Sequence, residues 1–481
     1  MGNRDRLTGL DASFLHLEAQ GTAHMHVAGI YVFAGPGPGY DELVAHLLAR
    51  LDLVPRYRQR LATVPLGQGR PVWVDDPHFN VRYHVRHTAL PAPGGDEELK
   101  RLAGRLMSQQ LDRHKPLWEM WLIEGLDDGR FAIVGKTHHA LVDGISGVDI
   151  STVLFDASPE PAPVPRAAEP WVPRPVPTGP QLLGEALVER GTIPGEIARG
   201  ARATLRAPRR VLARARDGLQ GVGALAWAGL DAAPRSPLNV EIGPHRRYEW
   251  VDAELDRFRA IKSALDGTVN DVVLSVVALA LGRWLRGRGE ETTGLRLRAM
   301  VPVSVRADVE RGALGNRVAA FYAPLPVGLE DPVEAFREVH EATRRLKGSG
   351  QAVGAQVLTD LAGFAPPTIM SQAARLMSRQ RVFNLVVTNV PGPQQPLYLL
   401  GRRLEAMYPV VPLAAGQALG IAILSYAGRL GFGLLADHDA LPDLDGLAGD
   451  LRGAIDDLAA AAGAGDPPRT PARRRPARAR A

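Results

Sequence analysis

Residues 131–147 read Phe131-Ala132-Ile133-Val134-Gly135-Lys136-Thr137-His138-His139-Ala140-Leu141-Val142-Asp143-Gly144-Ile145-Ser146-Gly147. An apolar β-type run leads into two adjacent histidines. Asp143 follows four residues after His139, and Gly144 permits a sharp turn before the next helix. This order sets a proton acceptor at the end of a strand, where a rigid sheet fixes its position. An unperturbed imidazole, with a pKa of about 6.5, accepts a proton at working pH. A base positioned this way contributes ~10²–10⁴ in rate.

Three other readings of the same residues stand beside that one. His, His and Asp are all metal-ligand types, but adjacent residues leaving a strand point to opposite faces, which disfavours a shared ion. Gly144-Ile145-Ser146-Gly147-Val148 misses the G-x-S-x-G nucleophile elbow, since Val148 replaces the second glycine. A pair of structural histidines, each satisfied by hydrogen bonds in a core, fits the spacing as well as a catalytic pair does.

The chain has 481 residues, 45% of them hydrophobic and 23% charged, which is an ordinary globular composition with room for two or three domains. It has no cysteine, so disulfides, thiolate catalysis and Cys-ligated metals are excluded. The net charge of +5 comes from the end of the chain: Pro467–Ala481 carries six arginines and no acid. Such a tail reads as disordered. Basic residues interleaved with aromatics on a folded face are missing, so nucleic acid is not an expected partner. The N-terminus lacks an apolar signal region, and Arg6 stands where myristoylation requires Ser or Thr. The most apolar run, Val272–Leu281, is too short to span a bilayer and reads as part of a buried helix, Asn270–Leu285.

Composition divides the chain into residues 1–156, 157–236, 237–463 and 464–481. The first part predicts a strand at His26–Phe33, ended by Gly35-Pro36-Gly37-Pro38-Gly39, and helices at Asp41–Leu51 and Asp96–Gln110. Prolines recurring from Ala157 to Pro180 predict an extended linker. A basic stretch follows at Glu196–Asp217, with Arg199, Arg202, Arg206 and Arg210 at helical spacing. It reads either as a solvated helix or as an amphipathic helix on anionic lipid. The third part predicts strands at Leu295–Val305, Arg317–Val327 and Val382–Asn389. A hairpin at Leu419–Tyr426 and Leu430–Leu435 and a final helix at Leu444–Ala462 complete it. Strands and helices mix without a regular βαβ rhythm, so the fold class is α+β in two lobes.

His138-His139-Ala140-Leu141-Val142-Asp143-Gly144 resembles the H-H-x-x-x-D-G signature of coenzyme-A-dependent acyltransferases. More narrowly, the chain resembles the bacterial wax ester synthase/diacylglycerol acyltransferase family. The supporting segments run in order along nearly the whole chain. They are Leu111-Asp112-Arg113, Pro116-Leu117-Trp118-Glu119, Pro237-Leu238-Asn239, Asn270-Asp271, Pro302-Val303-Ser304-Val305-Arg306 and Asn389-Val390-Pro391-Gly392-Pro393. The proline linker and the arginine tail are the least family-like parts.

The resemblance implies two acyltransferase-type lobes, mixed sheets flanked by helices, with a channel between them. His139 would take the proton of an acceptor hydroxyl, whose oxygen attacks the thioester of acyl-CoA without a covalent acyl-enzyme. His138 would support its neighbour, and Asp143, followed by Gly144, would be structural, with Arg306 as its candidate partner. Asn270 and Asp271 would shape the channel or hold the site, although a helix cap explains them as well. Acyl-CoA is then a co-substrate, with no resident cofactor or metal. The acceptor is diacylglycerol or a long-chain fatty alcohol, with a specialised polyketide-type alcohol or a non-catalytic lipid-binding role as alternatives. A lipid acceptor implies a cytoplasmic protein, peripheral on the inner face of the cell membrane or on a lipid-droplet surface.

Overall fold

The computed structural model describes residues 6–18, 21–142, 153–160, 170–188, 232–304, 318–348 and 381–464. The basic stretch Glu196–Asp217 and the tail Pro467–Ala481 lie outside them.

Strand β1 (His26–Phe33) is covered along its length, with His26, Ile30, Val32 and Phe33 buried and the residues between them partly so. It first meets a helix, α1 (Gly9–Glu18), on its N-terminal side, and α2 (Tyr40–Arg50) on its C-terminal side. A small hairpin, β2 (Gln59–Ala62) with β3 (Val72–Asp75), and a single turn, α3 (Val81–His84), lead to β4 (Val85–Ala89). Helix α4 (Asp96–Ser108) starts on a capping interaction in which the Gly95 N–H donates to Glu98 Oε2 at 3.0 Å. Then come β5 (Trp118–Glu124), β6 (Phe131–His138) and the short α5 (His139–Val142).

The second half runs β7 (Arg246–Glu254), α6 (Leu255–Ala264), α7 (Val269–Gly287), β8 (Leu297–Ser304), β9 (Val318–Leu325) and α8 (Pro332–Gly348). It ends with β10 (Leu385–Val390), β11 (Tyr398–Leu399), β12 (Arg402–Val410), β13 (Leu419–Tyr426), β14 (Arg429–Asp437) and α9 (Leu444–Ala461). The expected buried helix is α7: every residue from Val272 to Leu281 is at most 1% exposed, and α7 packs along α9. No single helix among the described residues is long and apolar enough to cross a membrane. The expected hairpin is β13–β14, with Ala427 (φ 45°) and Gly428 (φ 82°) as its two-residue turn. Both turn residues lie in the left-handed region, which matches the twist of the flanking strands.

Two six-stranded sheets result, ordered β11-β12-β1-β6-β5-β4 and β7-β14-β13-β10-β8-β9. The division at residue 237 therefore does not hold for strand pairing. Residues 398–410 leave the second half of the chain and complete the first sheet, with β12 antiparallel to β1. No strand was expected there, and nothing local in the sequence says which sheet it joins.

The lobes meet where β12 crosses β14, and glycines allow the approach. A Cβ on Gly433 would lie 1.9 Å from the Pro409 carbonyl oxygen, and one on Gly431 would lie 2.3 Å from that of Met407. Around the crossing, Trp250 stacks on Tyr408 at 4.5 Å, Tyr248 Oη donates to Pro409 O at 3.0 Å, and Tyr408 Oη donates to Asp252 at 2.6 Å. Gly104 brings α4 against β7 in the same way, its Cβ position being 2.8 Å from Arg246 O. One apolar core runs from Ile30 and Val134 through Leu102 and Leu106 of α4 to Val276 and Leu451.

The proline spacing is met where it is described: residues 170–178 form neither helix nor strand. They are pinned to the β2–β3 hairpin by Arg174, whose backbone N–H and side chain bind Asp75 at 3.0–3.1 Å.

Candidate active site

β1 and β6 run antiparallel in register from Phe33↔Phe131 to His26↔His138, so two histidines face each other at the end of the ladder. The next peptide is held from both sides. The His138 N–H donates to Leu117 O at 2.9 Å, and the His139 N–H donates to Met25 O at 2.8 Å. The chain then turns into α5, and the Ala140 N–H donates to His138 Nδ1 at 3.1 Å. With Nδ1 accepting, His138 carries its proton on Nε2. That proton goes to Glu18 Oε2, 3.1 Å away.

Glu18 is buried and also sits 3.3 Å from His26 Nε2 and 2.6 Å from an Arg113 guanidinium nitrogen. Burial alone would raise its pKa. The hydrogen bond from His138 and the approach of His26 outweigh this and hold the carboxyl far below the ordinary carboxylate range. Glu18 is thus an anion inside the protein, with its charge balanced by Arg113. Burial lowers His26 to about 3 and His24 to about 4, the latter helped by Arg246, so both imidazoles are neutral.

His139 is only partly buried. Its ring packs on Phe14, with centroids 4.4 Å apart. Phe14 and Glu18 are one turn apart on α1, so a single helical face addresses both motif histidines. Lys136, on the same face of β6 as His138, is buried and donates to the α4 carbonyls of Leu106 (3.0 Å) and Gln109 (2.5 Å). Burial brings its pKa down to about 8.

Residues 7–273 match the family model for the wax ester synthase/diacylglycerol acyltransferase catalytic domain, and residues 314–459 match the model for the C-terminal domain of the same family. The chain belongs to this family. It is 35% identical over 462 residues to a Mycobacterium tuberculosis protein named a probable diacylglycerol O-acyltransferase, covering 95% of this chain and 96% of that one. A second M. tuberculosis protein with the same description is 35% identical over 461 residues, covering 94% and 98%. Among solved structures, the wax ester synthase/diacylglycerol acyltransferase of Marinobacter aquaeolei VT8 superposes with a TM-score of 0.66 at 29% identity, over 95% of this chain and 100% of that one. The starter condensation domain of rhizomide synthetase shares the fold, with a TM-score of 0.56 at 14% identity over 96% and 94%.

The other family segments find local explanations. In Pro116-Leu117-Trp118, the indole anchors the strand: Trp118 is 1% exposed and its Nε1–H donates to Tyr57 O at 2.8 Å. Arg113 of Leu111-Asp112-Arg113 is the counter-ion of Glu18. Asn239 of Pro237-Leu238-Asn239 accepts from Asn384 Nδ2 at 2.6 Å and ties the start of the second lobe to its sheet. Pro391-Gly392-Pro393 is irregular chain following β10, in which the Gly392 N–H donates to Ser425 Oγ at 3.1 Å.

The two acid positions of the wax ester synthase/diacylglycerol acyltransferase pattern fare differently. Asp271 is the capping residue of α7. It accepts from the Thr268 N–H (2.9 Å), from Thr343 Oγ1 (2.6 Å) and from His340 Nδ1 (2.9 Å). Burial would raise its pKa, and the bonds from Thr343, His340 and Thr268 lower it instead. Its carboxylate is held by three residues of the second lobe, in the arrangement of a helix cap. Asn270 beside it is half-buried at the start of the same helix. Asp143, Gly144 and Arg306 lie outside the described residues, so the expected Asp143–Arg306 pairing does too.

Glu18, His26, His24 and Phe14 were not among the residues singled out from sequence. A glutamate ending a short helix carries no periodic signal that links it to a strand more than a hundred residues later.

Proposed function

We propose that this chain transfers a long acyl group from acyl-CoA to the hydroxyl of diacylglycerol or of a long-chain fatty alcohol, with His139 as the general base. The observation that carries the reading is the placement of His139. Its backbone is fixed at the end of β6, its ring is packed on Phe14, and it remains partly open beside a buried, fully bonded His138–Glu18 pair. Its Nδ1 is covered, so the Nε2 edge is the one offered to substrate.

The acceptor O–H gives its proton to His139 while its oxygen attacks the thioester carbonyl carbon. The tetrahedral adduct collapses by breaking the C–S bond, and the coenzyme A thiolate takes the proton back from His139. The ester and free thiol leave, and the enzyme returns to its starting state. The step as written draws on no resident cofactor, because acyl-CoA is itself a co-substrate. His138 and Glu18 act as positioning residues that set the peptide from which His139 projects. The two-lobed frame supports a channel between the lobes, open to donor on one side and acceptor on the other. The lipid character of the acceptor is what favours work at a membrane or lipid-droplet surface in this reading.

Product analysis tests the acceptor. With palmitoyl-CoA as donor and dioleoylglycerol and hexadecanol in competition, the reading predicts triacylglycerol, wax ester or both, and none without enzyme. Neither product, with a specialised alcohol acylated instead, would keep the chemistry and replace the substrate.

A further inference from the structure

Lys136 is 1% exposed, and no carboxylate among the described residues pairs with it. Glu119 stands across from it on β5 but is held by Arg86 at 3.3 Å. The ammonium donates instead to two backbone oxygens at the end of α4, Leu106 O at 3.0 Å and Gln109 O at 2.5 Å. The last carbonyls of a helix carry the negative end of its dipole, so a cation suits them. Burying that cation is still costly, and a methionine of similar length would fill the space without the cost. What the ammonium adds is the place at which it holds α4.

The nine residues 109–117 that leave α4 form neither helix nor strand, and three of them touch the histidine end of the sheet. The Gln110 amide donates to His24 Nδ1 at 3.1 Å, and His24 stacks on His26 with centroids 5.6 Å apart. Arg113 pairs with Glu18 at 2.6 Å, and Leu117 O receives the His138 N–H at 2.9 Å. Lys136 precedes His138 by two residues, about 7 Å along β6 and on the same face. It thus ties the start of the segment to the strand whose end the segment brackets.

We propose that Lys136 is a positioning residue for the base: its ammonium pins the end of α4, and with it the segment that holds His24, Glu18 and the His138 peptide. The role rests on the reading of His139 as that base. Glu119 of β5, Arg86 of β4, Glu18 of α1, His24 and His26 of β1 and His138 of its own strand surround Lys136, while α4 presents its carbonyls. Burial brings the lysine down to about 8, with Arg86 adding to it against the pull of Glu119 and Glu18. Above that pH the anchor loses its charge and holds the carbonyls less firmly. The fold is not lost with it. A lysine whose pKa is lower in the folded state adds stability as pH rises from about 8 to the unfolded value of about 10.4. Turnover and stability therefore separate in alkali.

The test follows thiol release from palmitoyl-CoA with hexadecanol between about pH 6 and about pH 9.5, corrected for hydrolysis without enzyme. The parent, Lys136→Met and Lys136→Arg are compared. The denaturation midpoint is read at each pH, and hydrogen exchange of residues 109–117 and 138–140 is read at neutral pH. The parent's kcat is expected to fall above about pH 8 while its midpoint holds. In Lys136→Met, kcat drops about 10–100-fold with KM for palmitoyl-CoA within about threefold, the alkaline fall disappears and the His138 amide exchanges faster. Lys136→Arg stays charged to above about pH 12, so it recovers part of the activity and carries it past the parent's fall. A parent profile flat to high pH, a Lys136→Met protein with parental kcat, or one that keeps the alkaline fall would overturn the inference. Unchanged exchange in the two segments would do the same. Should Lys136→Met not fold, the parent's profile and Lys136→Arg decide. Should the parent release no thiol, the proposed reaction fails, and exchange alone decides whether Lys136 holds the histidine peptide.

Discussion

Glu18 Oε2 accepts the Nε2–H of His138 at 3.1 Å, across 120 positions of sequence. The contact sets the tautomer of His138, whose Nδ1 is then free to hold the Ala140 amide. The peptide between the two histidines is fixed by this pair and by Leu117 and Met25. The Glu18 anion thus acts on the base through the neighbouring histidine and the peptide it holds.

Removing that anion should slow the chemical step more than binding. Glu18→Gln keeps shape and one hydrogen bond but leaves Arg113 without its charge partner. Steady-state kinetics should show kcat falling about 10–100-fold, with KM for acyl-CoA within about threefold. Circular dichroism should show an intact fold. A variant with parental kcat would make the Glu18–His138 pair purely structural.

Phe14→Ala tests the other contact of α1. Taking the ring from His139 opens a partly exposed gap and should cost about 1–2 kcal/mol of stability. A loss of kcat beyond the folded fraction would show that the ring orients the base, and parental turnover would show that it only packs.

Asp271→Ala should separate a cap from a catalytic acid. Loss of the Thr268, His340 and Thr343 bonds should cost about 1–3 kcal/mol, read as a lower denaturation midpoint. Activity per folded molecule should stay near the parent's, and a large drop in kcat at full folding would place Asp271 in the reaction.

Gly433→Ala probes the lobe crossing. No side chain fits 1.9 Å from the Pro409 oxygen, so β12 and β14 must separate. The expected outcome is a Tm loss worth roughly 3 kcal/mol or failure to accumulate as soluble protein. Parental stability would mean that the crossing is looser than described.

Acid should destabilise the fold through its buried imidazoles. Burial lowers His26 to about 3, and His24 and His84 to about 4. The folded state keeps them neutral while the unfolded chain protonates them near pH 6.5. Their stabilising share is therefore complete above about pH 6.5 and is lost as pH falls to about 4, on the order of 2 kcal/mol for each. Chemical denaturation across that window should show the decline, and His84→Gln should flatten it by about one proton. A flat profile would contradict the buried neutral histidines.

What was legible in the sequence follows from which forces are local. The β1 and β6 runs, the Ala427-Gly428 turn and the apolar α7 announce themselves through period, turn chemistry and composition, and each stands where the residues placed it. Strand partnership is not local: β12 was not read from the sequence, and it joins the first sheet by pairing with β1 while Gly431 and Gly433 allow β14 to pass close to it. The motif located His138 and His139, whereas Glu18 and His26 reach them only through the packing of α1 and the β1–β6 register. A cap at Asp271 was legible beside a role at the site because it opens an apolar helix, and its partners Thr343 and His340 come only with the packing of α8.

The most direct test of the account is acceptor-dependent thiol release from palmitoyl-CoA, comparing the parent with His139→Ala at matched folding. The account predicts release that requires dioleoylglycerol or hexadecanol and falls at least ~10²-fold in the variant. Equal release from both proteins, or none from the parent with either acceptor, would contradict it.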